Sequence, residues 1–386
     1  MTDPSILFLS HTGSLGGAEL SMLDIAEHFR ETATFVLFQD GPFRERLQKR
    51  GVSVEVVPAS VSLMNVERDS GPQTVLRAIP EVVRLTARVA KMGTEHDLLY
   101  ATSQKALIVA SLSRILSRTP MVWHLHDILS DDHFSPLNQY VSTRLANYLV
   151  ERVVVNSKAT KAAFESCGGD GERAEVVHYG IESTAFDRLD EETTGSVRQE
   201  LSLPEAPLVG VFSRLTEWKG QHVLVRALPD LPEVHAILVG DSLFEDGEDY
   251  VERLQALARD GGVRDRVHFL GFREDVPRLM KAVDVVLHTS TDPEPFGRVI
   301  VEGMLAQRPV VATKAGGAEE IVDHEDTGLL VPPGDVEATT RAIRRLLTSS
   351  ELADTLAQQG YEHASSHFAV SAMTRRIERC VSEVWG

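Results

Sequence analysis

The residues best able to do chemistry fall in five short stretches. The sharpest is Asp292-Pro293-Glu294-Pro295-Phe296-Gly297-Arg298-Val299-Ile300-Val301-Glu302-Gly303, where seven residues separate two glutamates. Two prolines set an extended turn, and Phe296-Gly297 opens a helix. Glu294 precedes that helix, and Glu302 lies about one and a half turns into it. The pair therefore faces different parts of one ligand, with the free N–H groups of the helix start as an anion site between them. In Ser213-Arg214-Leu215-Thr216-Glu217-Trp218-Lys219-Gly220, two cations stand in a loop before a helix. A diphosphate suits them, arginine as a fork and lysine as a point charge. Gly13-Ser14-Leu15-Gly16-Gly17-Ala18-Glu19 follows the first apolar run, and its glycines let backbone N–H groups approach a phosphate. Trp123-His124-Leu125-His126-Asp127 ends another apolar run. Strand alternation sends His124 and His126 to one face, where they can bind metal, move a proton or hydrogen-bond a substrate hydroxyl. Metal is the weakest of these, since no third ligand is evident. Ala315-Gly316-Gly317-Ala318 and the stretch 327–335 read as turn chemistry. Taken singly, each stretch also has a plain structural reading: a tight turn, a solvated charged loop, or a histidine bonded to backbone.

Such residues need elements to aim them. Short apolar runs at 6–9, 35–38, 54–57, 98–100, 121–125, 153–155 and 175–177 alternate with amphipathic segments of period near 3.6. The alternation restarts at 208–212, 236–239, 267–270, 283–287, 310–312 and 329–331, and helical patterns close the chain at 336–347, 351–363 and 370–384. This is the pattern of parallel sheets with helices on both faces, an α/β fold of two doubly wound halves. The stretch 187–207 is polar and shows no strand, so the boundary is set there: a first domain over 1–190 and a second over 191–366. Two such halves make a cleft, with ligands at the carboxyl ends of the strands.

Composition narrows the function. The net charge of -18 argues against nucleic-acid binding, which needs a basic footprint. Residues 1–190 hold 19 basic and 24 acidic residues and the remainder 20 and 33, so an anionic partner would meet the first half. No apolar run approaches the roughly 20 residues that span a bilayer. Asp3 stands where a signal peptide would carry basic residues. Only Cys167 and Cys380 are present, which excludes a disulfide framework and a Cys-rich metal site. The expectation is a reduced, cytoplasmic protein.

These elements, in this order, resemble the retaining glycosyltransferase family 4, typified by bacterial mannosyl- and glucosyltransferases and sucrose synthase. Glu294 and Glu302 match its E-x7-E signature, Arg214 and Lys219 its R-x4-K pair, Gly16-Gly17-Ala18-Glu19 its first loop, and Val154-Val155-Asn156-Ser157 its strand-end Asn-Ser. The likeness covers almost the whole chain and is strongest over 208–335. It implies two Rossmann-like domains (GT-B) around a nucleotide-sugar, with the segment 367–386 returning to the first domain. Arg214 and Lys219 would then bind the donor diphosphate, Glu302 the ribose diol and Glu294 the sugar hydroxyls, assisted by backbone N–H groups from Phe296, Gly297, Arg298 and Val299. Gly17, next to Gly16, would approach the distal phosphate. His126, which precedes Asp127 as in the family pattern, would sit by the transferred sugar. Gly271-Phe272-Arg273 would contact the base. Two positions depart from the family: Tyr179-Gly180-Ile181-Glu182 stands where Asn-Gly-Ile/Val-Asp is common, and Gly303 where Ala is common.

The implied reaction moves a hexosyl unit from a UDP- or GDP-sugar to an acceptor hydroxyl, in polysaccharide, glycolipid or natural-product synthesis. Two negative charges develop on the leaving diphosphate and must be stabilised. No Asp-x-Asp metal motif ends a strand; Arg214, Lys219 and the helix start can do that work, so transfer without metal or cofactor is expected. The resemblance favours front-face attack, the acceptor proton passing to the leaving phosphate oxygen. The acceptor class stays open among a saccharide, a lipid-linked saccharide and a small molecule, and the oligomeric state is not set. In 72–92, Arg77, Arg84, Arg88 and Lys91 are interleaved with Val75, Leu76, Ile79, Val82, Val83 and Leu85. A basic amphipathic helix of this kind can lie on an anionic membrane, although a solvated face of a core helix is preferred here. The competing functions are a nucleotide-sugar epimerase and a non-catalytic nucleotide-sugar-binding protein. A phosphorylase lacks its pyridoxal lysine here, and a dehydrogenase lacks its glycine fingerprint.

Overall fold

A computed structural model describes residues 4–60, 72–130, 134–189, 191–242 and 245–386, with the backbone alone at 72–75, 191–194 and 245–248. The Val75 side chain and Asp3 thus lie outside the described residues. The chain divides into two compact units, Met1–Gly180 with Val370–Gly386, and Ile181–Ala369.

The first unit is built on seven strands: β1 (Ile6–Ser10), β2 (Ala33–Leu37), β3 (Ser53–Val56), β4 (Leu98–Ala101), β5 (Met121–Leu125), β6 (Arg152–Val155) and β7 (Ala174–Val176). They pair in parallel in the order β3-β2-β1-β4-β5-β6-β7. The central strands β1, β4 and β5 are buried along their whole length, because helices cover both faces of such a sheet. On one face Phe8 stacks on Phe35 at 5.3 Å and meets Tyr100 at 4.8 Å. On the other, Trp123 meets the edge of Phe164 at 6.2 Å. The reversal of strand order between β1 and β4 is the switch point of this sheet. Ser103 and Ser157 cap the helices after β4 and β6, accepting from the Ala106 and Thr160 amides at 3.2 and 2.9 Å.

The second unit repeats the plan with six parallel strands in the order β10-β9-β8-β11-β12-β13. They are β8 (Leu208–Phe212), β9 (His235–Val239), β10 (Val267–Gly271), β11 (Val285–His288), β12 (Val310–Thr313) and β13 (Leu329–Val331). The strand β11 runs one residue further than its apolar run, which ends at Leu287, and so carries His288 to its carboxyl end.

The polar stretch 187–207 is not a bare linker. It holds the end of a short helix, Thr184–Asp187, and a second helix, Glu191–Glu200; Asp190 lies outside the described residues. Val197 is buried, and the Arg198 guanidinium donates to the carbonyls of Ala282 and Ala206 and to Asp284. Asp284 also accepts the Leu208 amide at 2.7 Å. These bonds tie the stretch to the second unit, which therefore begins at Ile181 and not after residue 190. Composition hid this because one buried valine and one arginine anchor an otherwise polar helix.

The helix Pro72–Gly93 buries Ala78, Leu85, Val89 and Met92 in the first unit's core. It leaves Leu76, Ile79 and Val83 exposed, and pairs Arg84 with Glu81 and Arg88 with Glu55. No helix among the described residues is long and apolar enough to cross a membrane. The last helix, Val370–Trp385, buries Met373, Ile377, Cys380 and Val381. It is fixed to the first unit by Glu383 on Arg152 and by Cys380 on Glu175. Ile377→Ala should therefore destabilise the first unit by about 2–5 kcal/mol, the usual result of emptying such a site. Chemical unfolding checks this, and a loss of less than about 0.5 kcal/mol, typical of a surface site, would contradict the placement of the helix.

Candidate active site

In the second unit, the site residues are brought to one edge by the sheet itself: β8, β10, β11 and β12 all end there, because parallel strands share a carboxyl edge. At its centre is Glu294, with its carboxylate buried. Three donors converge on one oxygen. Lys219 Nζ reaches Oε1 at 2.6 Å, His288 Nε2 at 2.9 Å, and the Ser290 hydroxyl also bonds it. The His288 Nδ1 lies 3.1 Å from the Thr313 hydroxyl and accepts from the Thr313 amide at 3.4 Å, so its proton sits on Nε2, facing Glu294. Burial alone would push the Glu294 pKa up, but the charge of Lys219 and the bonds from His288 and Lys219 hold it well below the usual carboxylate range. Oε1 is thus saturated, and no described residue bonds Oε2.

The backbone around this carboxylate is fixed from two sides. The turn Glu217–Lys219 ends at Gly220, whose φ of +69° is left-handed; a Cβ there would lie 1.9 Å from the Thr289 carbonyl oxygen. The Thr289 hydroxyl donates to the Lys219 carbonyl at 2.8 Å, and the Thr291 amide donates to that of Trp218. Lys219 Nζ also lies 4.2 Å from the Trp218 ring centroid. On the other side the Gly317 amide donates to the Glu294 carbonyl at 2.8 Å, and a Cβ on Gly316 (φ +62°) would meet the same oxygen at 2.3 Å. The Gly316-Gly317 turn is therefore a cradle for the Glu294 backbone.

The other expected residues take distinct places. Arg214 is exposed, and its guanidinium is unpaired among the described residues. Glu302 is not part of the Glu294 cluster; Arg298 Nη2 pairs with its Oε1 at 3.3 Å. Gly297 opens the helix Arg298–Leu305, and no acceptor among the described residues meets the amides of Gly297 and Val299. The Phe296 ring is a core anchor against Phe368, 5.7 Å away. Gly271 ends β10, and Phe272 stands 69% exposed beside it, a free aromatic face.

In the first unit, Gly16 and Gly17 lie exposed at the start of the helix Gly17–His28, which has no side-chain cap. His124 and His126 do share a face, their rings stacked 4.0 Å apart, and both are buried. His124 Nδ1 lies 3.0 Å from the Tyr100 hydroxyl, and His126 Nδ1 lies 2.6 Å from that of Tyr179. Asn156 Nδ2 donates to the His126 carbonyl and to the Tyr179 hydroxyl, both at 3.0 Å. Among the described residues, the Nε2 atoms of both histidines are buried and partnerless. Burial lowers the His126 pKa to about 3 and that of His124 well below its usual value. Both rings are therefore neutral.

Sequence reasoning missed His288, Ser290 and Thr313 and saw no role for Tyr179. The signal for the first two was a polar run, His288-Thr289-Ser290-Thr291, between an apolar strand and the glutamate motif.

The neutral histidines have a titration signature. An unfolded His126 would bind a proton near its ordinary 6.5, and the folded one only near 3. Between those values the unfolded state carries the extra proton, so stability falls as the pH drops through that window. His126→Gln should flatten the slope by about 1.4 kcal/mol per pH unit. Unfolding free energies from pH 4 to 6 test this (a window of about two units), and an unchanged slope would contradict a neutral buried His126.

Comparison with known proteins covers both units. The family described as "Glycosyl transferases group 1" matches residues 195–363, and the one described as "Glycosyl transferase 4-like domain" matches residues 16–180. A solved structure from Anabaena, Alr3699/HepE in complex with UDP and glucose, is 41% identical, covers 98% of this chain and 99% of its own, and has a TM-score of 0.89. The lipopolysaccharide core biosynthesis glycosyltransferase LpsE of Rhizobium meliloti is 36% identical over 178 residues, 46% of this chain, which spans only half (50%) of that relative. The D-inositol 3-phosphate glycosyltransferase of Corynebacterium urealyticum is 31% identical over 295 residues, 71% of this chain and 69% of the relative.

Proposed function

The chain belongs to the group 1 glycosyl transferases, and from that premise we propose that it transfers a hexosyl unit from a UDP-sugar, with retention and without a metal, to the hydroxyl of a saccharide or lipid-linked acceptor. That it is a nucleotide-sugar-dependent glycosyltransferase follows from the family, and the epimerase and non-catalytic readings are not favoured. UDP is preferred to GDP because the Anabaena relative at 41% identity holds UDP and glucose. A glycolipid or polysaccharide acceptor is supported by the relative named for lipopolysaccharide core biosynthesis.

The observation that carries the proposal is the saturated Oε1 of Glu294 beside an uncommitted Oε2. The carboxylate is ionised, rigid and unable to rotate its free oxygen away, so Oε2 accepts from a sugar hydroxyl. Lys219 uses one N–H on Glu294 and keeps two for the diphosphate. Arg214, exposed and unpaired, supplies the second cation, and the amides of Gly297 and Val299 face the same charge at a helix start. As the bond from C1 to the phosphate oxygen breaks, these groups stabilise the leaving diphosphate. The acceptor hydroxyl attacks C1 from the same face and gives its proton to the leaving oxygen. Glu302 takes the ribose diol, Phe272 stacks on the base, and His126 Nε2–H donates to a hydroxyl of the transferred sugar. Gly17, at its exposed helix start, approaches the distal phosphate.

Arg214→Ala should weaken UDP binding about 10–100-fold, the worth of one charge-assisted contact. Glu294→Gln should bind UDP normally yet lose turnover of UDP-glucose. Calorimetry and UDP release measure both, with EDTA as a third arm. Normal turnover by Glu294→Gln would refute the sugar contact, and loss of activity in EDTA would refute metal independence.

A peripheral membrane contact is proposed as well, on the observation that Leu76, Ile79 and Val83 stand exposed on the helix that also carries Arg77, Arg84, Arg88 and Lys91. The protein should float with phosphatidylglycerol vesicles and not with phosphatidylcholine ones, and Leu76→Ser with Val83→Ser should reduce flotation severalfold. Equal recovery with both lipids, or none with either, would end that reading.

A further inference from the structure

Tyr179 stands where the family's pattern has asparagine, and the structure gives it a specific partner. Its hydroxyl is the only group among the described residues within bonding distance of His126 Nδ1, at 2.6 Å. The proton positions follow from the surrounding bonds. Asn156 Nδ2 donates to the His126 carbonyl, and its Oδ1 accepts from the Thr160 hydroxyl at 2.8 Å, which fixes the amide's orientation. The same Nδ2 donates to the Tyr179 oxygen at 3.0 Å. A phenol has one proton to give. The 2.6 Å separation is shorter than the usual N–H···O range and fits an O–H donor, so we take Tyr179 to give that proton to Nδ1 while its oxygen accepts from Asn156. A neutral imidazole that accepts at Nδ1 must carry its hydrogen on Nε2.

We propose that Tyr179 is a positioning residue: by donating to Nδ1 it locks His126 in the Nε2–H tautomer and holds the ring so that this N–H points at the sugar. The inference rests on the glycosyltransferase reading for the sugar, but its tautomer claim does not. Two observations favour a built device over a buried polar pair kept only for stability. Nε2 of His126 is itself buried and partnerless among the described residues, a costly state unless a ligand supplies the acceptor. The ring is also clamped on one side by His124, stacked at 4.0 Å, whose own Nδ1 is held by Tyr100 in a parallel arrangement. The lock extends through Asn156 to Thr160 and Ser157 at the cap of the helix Lys158–Ser166. The ring's direction is therefore tied to the end of β6.

Full-length protein labelled with 15N-histidine tests this, with His126 assigned from the signal lost in His126→Gln. The expected spectrum of the unliganded enzyme shows His126 with a pyrrole-type Nε2 and a pyridine-type Nδ1 across the neutral range. The opposite pattern would overturn the proposal outright, and it needs no variant. In Tyr179→Phe the two tautomers should mix. UDP release from UDP-glucose should then fall about tenfold in kcat, the worth of one misdirected hydrogen bond, with the KM for UDP-glucose unchanged. An unchanged tautomer with unchanged kcat would overturn the proposal, as would a rise in KM alone. If His126→Gln turns over normally, the sugar contact fails while the tautomer result still decides what Tyr179 does.

Discussion

A carboxylate removed from water has to be held ionised by its neighbours, and the second unit is organised around meeting that demand at Glu294. Lys219 makes the decisive contact at 2.6 Å, with His288 and Ser290 completing the shell around one oxygen. Breaking such a buried pair from one side typically costs about 3–5 kcal/mol, because the surviving charge stays buried. The surrounding backbone conforms to the pair. Gly220 allows the turn that presents Lys219, and Gly316-Gly317 allows the approach that supports Glu294. The strand β11 delivers His288, and Ser290 follows two residues after its end. Oε2 of Glu294 and two N–H groups of Lys219 are left over from this cluster, and those are the ones a nucleotide-sugar would use.

The first unit answers a different need. Its histidines are buried without a counter-charge, and burial keeps them neutral. A neutral imidazole gives a directed hydrogen bond but stabilises little charge. This division fits the proposed transfer, in which the developing negative charge falls on the diphosphate and is met by the cations of the second unit. The two units thus hold polar groups on one kind of sheet edge by opposite electrostatic means: one by pairing charges, the other by refusing them.

Much of this was legible in the chain. The strands of the described residues follow from apolar runs, most cleanly in the central strands that are covered on both faces. Arg214 and Lys219 drew attention because cations in a loop after such a run lie near a strand's carboxyl edge, and Glu294 and Glu302 because of their spacing around a helix start. The pairing of Lys219 with Glu294 was not readable, since the two meet only through the sheet order that sets β8 beside β11. His288 was obscured because it ends a strand, where apolar patterning gives no warning of a polar side chain. Tyr179 was legible only as a departure, and its meaning needed the fold that brings it to His126. The polar stretch before β8 misled for the opposite reason, because a single valine and a single arginine anchor it.

The most direct test of the central claim is a crystal structure of the enzyme with UDP-glucose. The account predicts that Oε1 of Glu294 keeps its lysine while Oε2 accepts a hydrogen bond from a glucose hydroxyl, and that the diphosphate oxygens lie against Lys219 and Arg214. A bound donor whose sugar touches neither oxygen of Glu294, or whose phosphates lie away from both cations, would contradict it.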